Sequence, residues 1–116
     1  MRSSILYGAI ALAAAVGCGS SVPPPNDAWA AAQTDLGRAE ASGAQANPDA
    51  KLQLQLARED LRKARALIGN DNERATTLTV LARTEAQLAQ SLANASAAQD
   101  DAHKAATELQ KEEVSR

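Results

Sequence analysis

The chain has 116 residues, with 12 Lys plus Arg against 14 Asp plus Glu, a net charge of −2, one Cys, one His, one Trp, one Tyr and no Phe. That length holds one small domain, and with 28 alanines and 13 leucines it leaves too few aromatic and β-branched side chains for a sandwich or a doubly wound enzyme. The charge balance lacks the basic stripe that nucleic-acid binding requires, so the composition predicts an all-α fold with no nucleic-acid partner.

Met1 and Arg2 give a short positive start, and Ile5 to Val16 is an uncharged apolar run followed by Gly17-Cys18-Gly19. The run is shorter than the roughly 17 to 20 residues needed to cross a hydrocarbon core, so residues 1–17 read as a secretory signal peptide. Ala15-Val16-Gly17-Cys18 resembles the bacterial lipobox, with Ala15 in place of the commoner Leu. That resemblance implies cleavage before Cys18 and lipidation of its sulfur. Lipidation also accounts for a lone thiol in an exported chain, where an oxidising compartment would otherwise make it a liability. At about 0.8 kcal/mol per buried methylene, several acyl chains hold a protein stably at a bilayer. Gly19, where an Asp resembles an inner-membrane retention signal, points to an outer-membrane lipoprotein facing the periplasm. Residues 18–26 then read as a tether: Pro23-Pro24-Pro25 favours polyproline II at roughly 3.1 Å per residue, enough to lift a domain about 20 to 30 Å.

Residues 27–116 are predicted to be one α-helical domain with helices at about 28–42, 48–68 and 72–113. Asn26 or Asp27 offers a first N-cap, Trp29, Ala32, Leu36 and Ala39 share one face, and Gly43 ends the helix. Asn47 caps the second helix and Pro48 occupies its first position, where the missing N–H costs nothing. Its apolar stripe is Leu54, Ala57, Leu61, Ala64 and Ile68, and Gly69-Asn70-Asp71 turns the chain into the third helix. There the 3-4 spacing of Leu78, Leu81, Glu85, Leu88 and Leu92, continued by Ala95, Gln99, Ala102, Ala106 and Leu109, predicts a heptad-like seam, and in the first half Ala75, Ala82 and Ala89 join Leu78, Leu81, Leu88 and Leu92 in a broad apolar face suited to packing on the first two helices. No large apolar residue occurs between Ala93 and Glu108, so the distal half of that helix must either stand in solvent or meet a partner through small side chains. The expected architecture is a small antiparallel hairpin or three-helix bundle with a long, partly protruding C-terminal helix.

No catalytic or cofactor constellation is found, and neither a cofactor nor a metal is expected. His103 stands among Asp100, Asp101 and Lys104 without a second imidazole, fewer ligands than a metal site needs. Arg58, Arg62 and Arg65 share a helix face suited to anionic headgroups or an acidic partner. The favoured reading of that face is a solvated one, with one arginine neutralising Glu85. The candidate interaction surface therefore comprises Arg58, Arg62 and Arg65 with Ala95, Ala98, Ala102, Ala105 and Ala106 of the distal third helix.

The lipobox, the Asn47-Pro48 opening, the Leu52 to Ile68 helix, the Gly69-Asn70-Asp71 turn and the helix containing Leu81-Ala82 and Leu88-Ala89 together resemble a family of small Gram-negative lipoprotein domains, the domain of unknown function 4398. The resemblance covers roughly residues 18 to 98 and carries over no catalytic residue. Some members precede an OmpA-like peptidoglycan-binding domain that is not found in this sequence, which leaves peptidoglycan contact undecided. The expected function is a non-enzymatic, lipid-anchored periplasmic scaffold or adaptor at the outer membrane. It would contact the membrane through its anchor, and an envelope protein or further copies of itself through the third helix. The alternative is an oligomeric coiled-coil spacer resembling Braun lipoprotein, with Arg116 in place of that protein's terminal Lys.

Overall fold

The computed structural model describes residues 21–116; the segment 1–17 and Cys18 lie outside the described residues. Among the described residues there are three α-helices, α1 at Asn26–Ala41, α2 at Pro48–Leu67 and α3 at Asn72–Val114, with a 3-10 turn at Ala44–Ala46 and no strand. The helices run up, down and up, so α1 and α3 are parallel and α2 is antiparallel to both. This is the three-helix bundle with a long C-terminal helix.

Helix ends follow from local chemistry. Asn26 and Asp27 lie inside the first turn of α1 rather than at its cap, which is Pro25. The Pro25 carbonyl accepts from the Trp29 N–H at 2.9 Å, and Asp27 sits where the helix dipole favours negative charge. Gly43, at φ 85°, takes the left-handed turn after α1 that an L side chain adopts only with strain, and its N–H donates to the Glu40 carbonyl. Asn47 Oδ1 accepts from the Ala50 N–H at 2.9 Å with Pro48 just inside α2, and Asp71 Oδ1 accepts from the Arg74 N–H at 3.1 Å. Each such cap contributes about 1 kcal/mol. Between α2 and α3, Gly69 at φ 91° donates its N–H to Asn72 Oδ1 at 2.8 Å.

The core is built chiefly from methyl groups. On α2, Ala50, Leu54, Ala57, Leu61 and Ala64 are buried, the predicted stripe extended back by one residue, with Ile68 half-buried at the helix end. On α3 the buried side chains are Ala75, Thr79, Ala82, Ala86, Ala89 and Ala93. The seam predicted there on Leu78, Leu81, Glu85, Leu88 and Leu92 is therefore corrected by one residue, and Leu81 and Leu88 are exposed. The reason is volume. Leu54 and Leu61 of α2 project into the contact, and small residues opposite them let the helices approach closely, whereas two rows of leucine would hold them apart. The two apolar clusters, one around Leu54, Ala89 and Ala93 and the other around Leu61, Ala32 and Ala82, consist only of residues from these helices and the turn. Residues 21–116 therefore close their own core.

Candidate functional site

Because α1 packs on one side only, the two-helix layer of α2 and α3 has a covered face and an open one. The covered face holds most of the polar tertiary contacts. Asp35 of α1, with 6 % of its surface exposed, accepts from Arg83 Nε at 2.8 Å, Gln87 Nε2 at 3.2 Å and Arg38 at 3.2 Å. Burial works against its charge, but hydrogen bonds from Arg83 and Gln87 and the charges of Arg83 and Arg38 outweigh it and hold the carboxyl below its ordinary range. Sequence reasoning missed this residue. The available signal was its place between Ala32 and Ala39, on the face α1 buries.

The three arginines singled out on α2 border α1. Arg58 donates to Glu40 of α1, and Arg65 lies over the Trp29 ring at 5.0 Å from its centroid. Trp29 Nε1 donates to the Leu61 carbonyl at 3.0 Å, so the indole is held from both sides. With Arg62, these residues line a shallow groove along the α1 and α2 boundary whose floor is Leu36 and Leu61.

The open face lies on the far side of the layer. A helix turns about 100° per residue, which sets Leu52 and Leu56 of α2 well round from the α1-facing Leu61, and Leu81 and Leu88 of α3 about 100° or more from Arg83 and Gln87. These four leucines are 53, 39, 45 and 44 % exposed respectively, a high fraction for side chains on one face of a small bundle. Leu78 and Leu92 are half-buried beside them. Glu85 lies in the same face, and its Oε2 is buried without a hydrogen-bond partner. Its neighbours on α2 are Asp60 and Lys63 rather than an arginine, and Lys63 Nζ is 3.8 Å from Asp60 Oδ1. Burial raises the Glu85 pKa first, and the charge of Asp60 and a hydrogen bond shared with it raise it further, against a smaller opposing effect of Lys63.

A carboxyl whose pKa is raised by folding favours the folded state while protonated, and that contribution is lost as pH rises through the folded pKa. Glu85→Gln is therefore expected to stabilise the bundle at neutral pH by up to about 1 kcal/mol, with the gain disappearing in acid. Urea unfolding followed by circular dichroism at the two pH values checks it.

Beyond Ala93 the third helix leaves the bundle. Every residue from Ala97 to Arg116 is exposed, including the predicted surface residues Ala98, Ala102, Ala105 and Ala106, and Ala95 is exposed just before them. From Asn94 to Val114 this arm is about 30 Å long at 1.5 Å per residue. His103, Asp100 and Lys104 lie in solvent on it. No group of three or more His, Cys, Asp or Glu among the described residues could hold a metal ion. No helix among them is long and apolar enough to cross a membrane.

A family model described as Domain of unknown function (DUF4398) matches residues 27–105. The chain belongs to the DUF4398 family. The match takes in all three helices of the bundle and the first part of the arm, so the DUF4398 unit is the bundle together with a stretch of α3 that the bundle does not cover. No curated protein and no solved structure matches the chain.

Proposed function

We propose that this DUF4398 chain is a non-enzymatic helical adaptor of the periplasm, tethered to the outer membrane by lipid on Cys18 and engaging an envelope partner through the distal arm of α3. The observation that carries the adaptor half is the arm, some 20 residues of continuous helix with nothing among the described residues packed against it. A helix that gains no burial within its own molecule has its apolar methyls available to another. The anchor half is supported by the Ala15-Val16-Gly17-Cys18 sequence and the proline tether after it. Membrane attachment at one end and an exposed surface at the other are the two features an adaptor needs.

Intact-mass measurement of the processed protein from the envelope is expected to give an N-terminus at Cys18 carrying diacylglyceryl and acyl groups. An unmodified sulfur, or a terminus elsewhere, overturns the anchor. Photo-cross-linking probes at Ala98 and Ala105 in the native envelope are expected to capture a protein, whereas probes on Gln55 of α2 are not. The stripe that α3 continues into the arm also favours a second reading, an oligomeric coiled-coil spacer. A trimer of residues 21–116 in the ultracentrifuge would select it.

A further inference from the structure

We infer that the open leucine face between α2 and α3 receives the distal arm of α3 from a second copy of this chain, so that two chains pair antiparallel through their third helices. This deepens the interaction-arm part of the reading above and does not depend on the lipid anchor.

Three observations carry it. The first is the shape of the face. Leu52 and Leu56 on one helix and Leu81 and Leu88 on the other form a trough beside the bundle where a fourth helix would lie, and their exposure is what a covering helix removes. The second is self-complementarity. The stripe of Leu78, Leu81, Leu88 and Leu92 runs on without a break in spacing through Ala95, Gln99, Ala102, Ala106 and Leu109, large in the bundle half and mostly small in the arm half. An antiparallel two-fold near Ala93 and Asn94 sets Leu78 against Leu109 of the second copy, Leu81 against Ala106, Leu88 against Gln99 and Leu92 against Ala95. Leu81 and Leu92 then meet single methyl groups, the solution α2 and α3 already use between themselves, while Leu88 lies on the stem of Gln99 and Leu78 packs on Leu109 at each end of the overlap. A parallel pairing stacks leucine on leucine at one end and mostly alanine on alanine at the other. The two-fold makes every contact twice, over an overlap of about 48 Å.

The third observation is polar. The same register brings His103 of the second copy level with Asp60 and Glu85. His103 is one helical turn from both Gln99 and Ala106, so it flanks the stripe. The Glu85 Oε2, buried without a partner in the single chain, gains an imidazole N–H donor. Two such contacts per dimer fix the register, as a single buried polar pair does in coiled coils.

The test uses residues 21–116, which close their own core and contain no thiol. Chains carrying Leu81→Cys and Ala106→Cys are prepared separately, then oxidised alone and as a mixture. The mixture is expected to give a disulfide-linked heterodimer while neither chain links to itself, because in the antiparallel pair each position lies about 37 Å along the axis from its own copy and a disulfide spans Cα atoms at most about 7 Å apart. Sedimentation velocity of the unmodified chain is expected to show twice the monomer mass. Leu88→Glu, and separately truncation after Ser96, are expected to raise the dimer Kd about 30-fold or more, and His103→Ala about 5-fold, with the circular dichroism of the bundle kept. A monomer at the highest attainable concentration, a trimer, or self-linking of either single-cysteine chain overturns the inference. A monomer leaves the anchor reading intact, since the mass of the processed chain decides that separately.

Discussion

Ala89→Leu is expected to destabilise the bundle by about 2 to 3 kcal/mol, while the neighbouring Leu88→Ala costs about 1 kcal/mol or less. Ala89 is fully buried against Leu54 and Ala50 of α2 and Ala39 of α1, so three extra carbons there must push helices apart along a contact with no slack. Leu88, one residue before it, has 44 % of its surface in water, and trimming it removes little that the single chain buries. Stability from urea unfolding of residues 21–116, read by circular dichroism at concentrations where the chain is a monomer, checks both. Equal costs, or a greater cost at Leu88, would mean that leucines rather than alanines form the seam. A core of mostly single methyls gives the bundle modest burial to draw on, so a loss of that size is a large share of its stability.

Asp35→Asn is expected to cost about 2 kcal/mol at neutral pH, because it removes the charge from an acceptor of three hydrogen bonds and leaves Arg83 without its carboxylate. The cost stays below that of breaking a fully buried ion pair, since Arg83 is half-exposed and can turn to water. The direction with pH follows from the depressed pKa. Folding lowers it, so the stabilisation is complete above the unfolded carboxyl range, near 4, and is lost as pH falls through the folded value. Wild type and Asp35→Asn should therefore converge in acid. A double-mutant cycle with Arg83→Met is expected to give a coupling of about 1 to 2 kcal/mol, and a coupling near zero would show that the pair does not hold α1 onto α3.

The helix boundaries were legible in the sequence because their causes are local. Asn47 before Pro48, Gly43 after α1 and Gly69-Asn70-Asp71 before α3 are positions where one or two residues determine the backbone, and the helices stop and start there. The face of α3 was legible in breadth, since Ala75, Ala82 and Ala89 lie in the apolar face expected to pack, but which of its two rows forms the seam was not. Its leucine row and its alanine row are adjacent on one cylinder with the same 3-4 spacing, and periodicity weights the larger residues. Choosing between the rows requires knowing how closely α2 approaches, and the projecting Leu54 and Leu61 determine that. Asp35 was hidden for a related reason. A carboxylate on a helix reads as solvated, and its partners Arg83 and Gln87 stand 48 and 52 residues away. The exposed arm was visible as an absence of large apolar residues between Ala93 and Glu108, since exposure there requires only that nothing holds the helix down.

The indole of Trp29 is the chain's only tryptophan, and it is held between the Leu61 carbonyl and the Arg65 guanidinium at the boundary of α1 and α2. Its fluorescence is thus a built-in optical gauge of whether α1 is seated. The α2 and α3 hairpin contains no tryptophan, so its melting would be silent at that wavelength while remaining visible as lost helical ellipticity. If α1 peels away first, emission shifts to the red ahead of the far-ultraviolet signal, and the interval between the two transitions measures how loosely the first helix is attached.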